Sequence, residues 1–282
     1  MTMPSDGRSR PTPVYEPGTL SPQEFETAFC EALVRILVES GLSSAIPPDL
    51  DPAGARLYHG TYLKYMSFFA WKFPSWLMSV ASMCPYQDVR REIINDCVDE
   101  EVGDTDADGQ CHIELLYDEA ELCGVSREEI FEAEPTPPIM AAIHAWENMT
   151  RTLGWLPGYA AIAGLEIAMS EPAIKARERL IGKEAMAKAS KDLGGVTFHE
   201  RLGMPEGSLK FFALHSYKDR FHGGGELAML VKYAHTPALQ REAIWAVSNS
   251  FKIYTLHAHE VRRLAAEAVG TVYTPKPAMV VS

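Results

Sequence analysis

The chain has 282 residues, of which 46% are hydrophobic, 10% aromatic and 23% charged, a profile typical of a globular protein rather than a disordered or fibrous one. Its formal net charge of −12 opposes binding to phosphate backbones and anionic headgroups, so nucleic acid and membrane surfaces are excluded as expected partners. No stretch reaches the roughly 18 consecutive apolar residues that a membrane span requires. The five cysteines, an odd number without C-x-x-C spacing, are typical of buried thiols in a reducing compartment, and we expect a cytoplasmic protein.

Helical signals fill the chain between residues 21 and 268. Residues 1–20 are rich in proline and lack periodicity, and we interpret them as a disordered lead. Ser21 and Glu24, with a proline between them, predict the capped start of the first helix. Thr236, also followed by a proline, predicts the start of a long last helix with apolar residues at every third or fourth position.

Between these two helices, further segments show the same three- and four-residue apolar spacing and end in Gly or Pro. Period-two alternation, which would indicate strands, is almost absent. Because helices average roughly 12 residues and are joined by short links, we predict an all-α fold of about seven to nine helices. The prediction is a single domain over residues 21–268, followed by a tail over residues 269–282.

The segment "HSYKDRFHGGGE", residues 215–226, places two imidazoles and a carboxylate on one helix face. His215, Asp219 and His222 point within about 60° of one another, since each helical residue turns by 100°. Apolar neighbours would penalise an uncompensated carboxylate there, and a cation would remove the penalty. Imidazole and carboxylate ligands suit iron or manganese, although a solvated face or a hydrogen-bonded trio remains the alternative.

A second candidate group lies in "EEVGDTDADGQCH". Glu101 and His112 are eleven residues apart, about three helical turns, and would share a face if the helix resumed in register. The glycine-bearing acidic run interrupts the helix signal, so Asp104 and Asp108 are alternative ligands, unless the run is merely a solvated turn.

Glu166 stands in the middle of an otherwise apolar helix. A lone carboxylate on an apolar stripe is seldom placed there without a partner, which would be either a metal or a buried Arg or Lys. The three segments together hold three carboxylates and three imidazoles on three helices. This is the set of ligands that a carboxylate-bridged two-iron site requires. The E-x-x-H repeats of the ferritin-like form of that site are missing.

In their order along the chain, "EEVGDTDADGQCHIELL", "LEIAMSEP" and "HSYKDRFH" resemble the haem-oxygenase-like di-iron oxidases and oxygenases over residues 55–262. The resemblance implies a haem-oxygenase-like helical bundle that binds two Fe(II) ions and uses them to activate O2. It implies oxidation of a small, amino-acid-like substrate by C–H abstraction leading to desaturation, cleavage or oxygenation, commonly in natural-product biosynthesis. The metal ligands it implies are Glu101, His112, Glu166, His215, Asp219 and His222.

Two other classes of function stay open. One is a metal-free enzyme resembling the thiaminase-type or cofactorless oxidase members of the same fold, which would need a nucleophilic cysteine or a base in its pocket. The other is a non-catalytic helical binding protein. The sequence also leaves open the substrate, an external electron donor and the oligomeric state, including a homodimer.

Three glycines follow the last histidine of the ligand face. In a helix, Gly223–Gly225 would cost roughly 2 to 3 kcal/mol relative to alanine. Either the helix breaks there and lets half of the metal site open, or the backbone closely approaches a neighbouring helix. We favour the break.

Overall fold

The first and last helices begin at the capping residues that the sequence predicts. Ser21 and Glu24 form a capping box, and the hydroxyl of Thr236 accepts a hydrogen bond from the Leu239 N–H. The computed structural model describes residues 13–42, 46–184 and 195–276, with the side chains of residues 195–197, 216, 217 and 219–222 outside that description.

These residues form eleven α-helices and a 3-10 turn at Thr105–Ala107. The helices are α1 (Pro22–Glu39), α2 (Pro52–Met83), α3 (Gln87–Glu101), α4 (His112–Leu122), α5 (Arg127–Phe131), α6 (Pro137–Thr152), α7 (Trp155–Ile167), α8 (Glu171–Ile181), α9 (Gly195–Leu202), α10 (Lys210–Tyr233) and α11 (Pro237–Ala268). Nine of them are longer than eight residues, which confirms the all-α prediction of about seven to nine helices. Within the described ranges, none of the helices is long and apolar enough to cross a membrane.

The short helix α7 lies at the centre of the bundle and packs against α2, α6, α10 and α11. It is buried on nearly all sides, and small residues let its neighbours come close. A side chain at Gly164 would place its Cβ 2.6 Å from Val247 on α11, so that approach requires glycine. Around α7, Trp76, Trp146 and Phe251 are almost fully buried, and each contributes about 1.5 to 3 kcal/mol by leaving water.

The segments flanking the bundle are hydrogen-bonded to it. Before α1, the Glu16 N–H donates to the His235 carbonyl at 2.9 Å. After α11, the Lys276 N–H donates to the Gly41 carbonyl at 2.9 Å. The described parts of the predicted lead and tail therefore lie along the helices.

Helix α10 runs without a break through the three glycines, in contrast to the break that we favoured. A Cβ at Gly223 would lie 2.7 Å from the Glu166 carbonyl oxygen and 2.8 Å from the Cα of Ile167. The glycine therefore lets α10 pack directly on the backbone of α7. Gly224, in contrast, is exposed and has nothing within 4 Å of its Cβ position.

Candidate metal centre

Three helices bring Glu100, His112 and His215 together. The residues lie on α3, α4 and α10, and one ligand atom of each falls within 4.8 Å of the others. The two imidazole rings are 4.7 Å apart between centroids, and Glu100 Oε1 lies 2.8 Å from His112 Nδ1. Three potential ligands from three helices thus converge on one largely buried point.

The link between α3 and α4 turns the chain back so that His112 meets Glu100. The Asp104 N–H donates to the Gln110 carbonyl at 3.0 Å, and the Gly109 N–H donates to the Asp104 carbonyl at 2.8 Å. Asp108 adopts the left-handed conformation with φ of 57°. At Gly103, with φ of 152°, a Cβ would lie 2.3 Å from the Gly109 carbonyl oxygen, so only glycine fits this loop.

His112 is held between two carboxylates. Its Nδ1 faces Glu100, and its Nε2 lies 3.1 Å from Oδ2 of the fully buried Asp104. Burial alone would lower the pKa of His112, but hydrogen bonds to Glu100 and Asp104 and their charges outweigh it and raise the pKa to about 9. Without a metal, this pKa favours protonation of both ring nitrogens at neutral pH, and a metal ion that binds the ring must displace one of the two protons.

His215 has the opposite electrostatic setting. Burial, followed by the positive charge of His112, lowers the pKa of His215, against the raising effects of Glu100 and Glu166. Its Nδ1 donates to the Phe211 carbonyl at 2.9 Å, which leaves Nε2 with its lone pair for a ligand. A neutral imidazole oriented by a backbone carbonyl is the usual state of a metal-binding histidine.

A second buried pair fixes the start of α10. Glu119 Oε2 accepts the Phe212 N–H at 3.1 Å, and its Oε1 lies 2.8 Å from Nε2 of His59. The first turn of α10 has no side-chain cap of its own, so this carboxylate from α4 takes that role. Because α4 also carries His112, the contact sets the register of His215 against it.

The six predicted ligands have different surroundings in the structure. His112 and His215 are brought together as expected, whereas Glu101 is exposed at the end of α3 and its neighbour Glu100 faces the histidine. Glu166 is not among the three converging ligands, but its charge acts on His215. The side chains of Asp219 and His222 lie outside the described residues, and that part of the set stays a prediction.

Asp104 and Asp108, the two alternative ligands, also differ in burial. Asp104 is fully buried against His112, while the Asp108 side chain is 89% exposed. The structure thus assigns Asp104, and not Asp108, to the surroundings of the site.

Two buried or nearly buried acidic residues near the site are not predicted from the sequence pattern. The pattern does not distinguish Glu100 from Glu101, because the helix signal is interrupted before His112 and does not indicate which of the two adjacent glutamates faces it. Glu226 is fully buried on α10, and burial followed by its charge and that of Asp96 raises the pKa of Tyr159. Its position four residues after His222 extends the predicted ligand face, and this spacing could have identified it.

The donor set suits iron. Two imidazoles and a carboxylate are the ligands of many non-haem Fe(II) sites, whereas Ca²⁺ and Mg²⁺ prefer oxygen alone and structural Zn²⁺ sites lean on thiolates. The structure therefore describes an all-helical protein with a buried centre suited to a transition metal.

Comparison with known proteins agrees with this class. Residues 61–255 match a family described as iron-containing redox enzymes, and the chain belongs to that family. Among curated proteins, no sequence matches the chain.

Solved structures share the fold at low identity. A CADD-like protein of unknown function from Nostoc punctiforme PCC 73102 has a TM-score of 0.60 and 17% identity, covering 88% of this chain and 99% of its own. A domain of unknown function with a heme oxygenase-like fold from Shewanella denitrificans OS217 has a TM-score of 0.57 and 15% identity, covering 85% and 89%. A TenA homolog from Pseudomonas syringae pv. tomato has a TM-score of 0.50 and 14% identity, covering 85% and 88%. The fold is thus haem-oxygenase-like, as the resemblance implied.

Proposed function

We propose that the protein is a non-haem di-iron, O2-dependent oxidase or oxygenase of a small, amino-acid-like substrate. The observation that carries the proposal is the convergence of Glu100, His112 and His215 at one buried point, in a chain of an iron-containing redox family. The amino-acid-like substrate and a role in natural-product biosynthesis follow from the family resemblance. An external electron donor would complete the cycle.

The ligands divide into two halves. Glu100, His112 and His215 would hold one iron ion, and Glu166 with Asp219 and His222 would hold the other. When bound, ferrous iron supplies the electrons that turn O2 into an oxidant of C–H bonds.

Backbone and side-chain groups around the proposed centre orient its histidines. The Phe211 carbonyl orients His215, and the low pKa of His215 keeps its ring neutral and ready to ligate. Asp104 fixes the ring of His112 from its far side. The Phe211 ring lies 4.2 Å from the His215 ring between centroids and packs against an apolar cluster that includes Leu214, so apolar groups flank this side of the site.

Anaerobic loading with ferrous iron tests the proposal. The metal-to-protein ratio is measured first; the protein is then exposed to O2 while visible absorbance is followed, and products from free amino acids and fatty acids are read by mass. We expect two irons per chain, a transient absorbance and a mass shift for an amino acid. His215→Ala should lose them with unchanged helical circular dichroism, while His144→Ala, at an exposed histidine on α6, should retain them.

A colourless protein with sub-stoichiometric iron would contradict the proposal. Turnover of a substrate by this protein after its remaining iron is removed would then indicate a metal-free enzyme of the same fold. The absence of any turnover would indicate a binding protein.

A further inference from the structure

The loop before α4 carries the first half of a calcium-binding motif. Asp104, Asp106 and Asp108, followed by Gly109, match D-x-D-x-D-G. The twelfth position of such a loop supplies a bidentate glutamate, but here it is Leu115, which is buried in an apolar cluster. The loop therefore has the acidic arm of a cation site but lacks the glutamate that gives tight calcium binding, so calcium would bind there only in the millimolar range.

A lysine ammonium lies among these carboxylates. Lys218 Nζ is 2.9 Å from Asp106 Oδ2, 3.0 Å from Asp104 Oδ1 and 3.4 Å from Asp99 Oδ2. The lysine side chain is only 13% exposed. Three acidic groups thus surround one positive charge that comes from α10.

Asp104 connects this lysine to the metal centre. One of its oxygens faces Lys218 and the other faces His112 Nε2, so the carboxylate is held from both sides. The Asp106 N–H also donates to Oδ1 at 2.8 Å. Since Asp104 is fully buried, its charge depends on these partners.

We propose that Lys218 is a positioning residue whose ammonium takes the place of a metal ion in the acidic loop 104–109 and so fixes Asp104 against His112. The inference rests on the proposed metal centre, because its consequence is the orientation of one ligand. Removal of the charge would leave Asp104 and Asp106 without the ammonium between them and would loosen Asp104 against the ring of His112. Loss of an outer-shell partner of a ligand typically weakens metal binding by about 10- to 100-fold.

Lys218→Met removes the ammonium while it keeps much of the methylene stem, and the matched control is Lys210→Met. Lys210 lies on the same helix and faces the same loop, but it is exposed and 3.6 Å from the exposed Asp108. Co²⁺, a redox-silent probe with visible absorbance, is titrated into each full-length protein. We expect binding several-fold to about 10-fold weaker for Lys218→Met, below the loss that removal of Asp104 itself would cause, and unchanged for the control. Equal affinity in Lys218→Met and wild type overturns the inference.

Calcium gives a second readout that does not need the metal centre. Lys218→Ala opens the space beside Asp104 and Asp106, so millimolar Ca²⁺ should raise the Tm of this variant by about 1 to 4 °C and leave wild type unchanged. The NMR signals of the His112 ring should return toward their wild-type positions in the same titration. A Tm of Lys218→Ala that ignores Ca²⁺ contradicts the proposed role of the lysine.

The two readouts separate the two proposals. If wild type fails to bind Co²⁺, the metal centre is wrong, and the calcium titration still decides whether Lys218 replaces a cation. If wild type binds Co²⁺ and Lys218→Met binds it equally well, only the positioning role is wrong.

Discussion

Glu100 and Glu101 are adjacent in the chain but have different surroundings. The Glu100 side chain is 12% exposed and lies against His112, whereas Glu101 is exposed at the end of α3. We expect Glu100→Gln to weaken Co²⁺ or Fe²⁺ binding by more than about 10-fold, since the loss of an outer-shell partner alone costs that much. Glu101→Gln removes the same charge one residue away and should bind within about twofold of wild type.

Titration of both variants under identical anaerobic conditions provides the comparison. Equal losses in the two would mean that net charge near α3, rather than a ligand, controls affinity. A larger loss in Glu101→Gln would restore the assignment that the sequence suggested.

The sequence predicts that the two histidines lie together, but it does not predict which of the adjacent carboxylates joins them. Spacing within one helix fixes which residues share a face, and His215 was found in that way. Between α3 and α4 the register is set by the loop at Gly103 and Asp108, whose backbone angles no periodic pattern reveals. The contact of Lys218 with the acidic loop is not predictable for a related reason, because its partner Asp99 lies 119 residues earlier in the chain.

At the scale of elements, the helix starts were predictable because caps are local. A hydroxyl and an acid three residues apart suffice to place the start of α1, whatever packs on it later. The glycines of α10 were not predictable in this way, since their role depends on the distance to α7.

Gly223 and Gly224 form a matched pair for testing the packing of α10 on α7. Gly224→Ala adds a methyl group in open space on a helix and should stabilise the protein by about 1 kcal/mol. Gly223→Ala pushes a methyl group against the backbone at Glu166 and should destabilise it by about 1 to 3 kcal/mol. Urea unfolding of the two variants and wild type measures both changes.

Metal binding adds a second measurement to this pair. Gly223→Ala displaces α10 beside Glu166 and should therefore weaken iron loading, while Gly224→Ala should leave it unchanged. Lower iron loading in Gly224→Ala, without loss of stability, would revive a role for helix flexibility.

At the scale of the whole molecule, stability depends on keeping a core histidine neutral. His257 on α11 is fully buried between Phe69 and Trp146, and its ring nitrogens make no hydrogen bond with the described residues. Burial, followed by the charge of Arg262, lowers the pKa of His257 to about 4. In the unfolded chain a histidine titrates near 6.5, so the unfolded state binds the proton first.

The difference between the pKa of His257 in the folded and unfolded states determines how the free energy of unfolding changes with pH. Above about pH 6.5 both states are neutral at His257 and the full stability is present; as the pH falls through 6.5 toward 4, only the unfolded state gains the proton. Since each pKa unit corresponds to about 1.4 kcal/mol, His257 should cost the protein about 3 kcal/mol of unfolding free energy by pH 4. His257→Leu keeps an apolar group in the same space and should lose this part of the pH dependence.

Urea unfolding of metal-free wild type and His257→Leu at pH 7 and pH 4 isolates the contribution of His257. The histidines of the metal centre are present in both proteins, so their contribution cancels in the comparison. Wild type should lose about 3 kcal/mol more than His257→Leu over this interval, and His144→Gln, at an exposed histidine, should behave as wild type. The same drop in His257→Leu and wild type would show that the core tolerates the charged ring and that other groups govern unfolding in acid. Loss of the drop in the variant would place the acid sensitivity in the aromatic core around α7, away from the metal ligands.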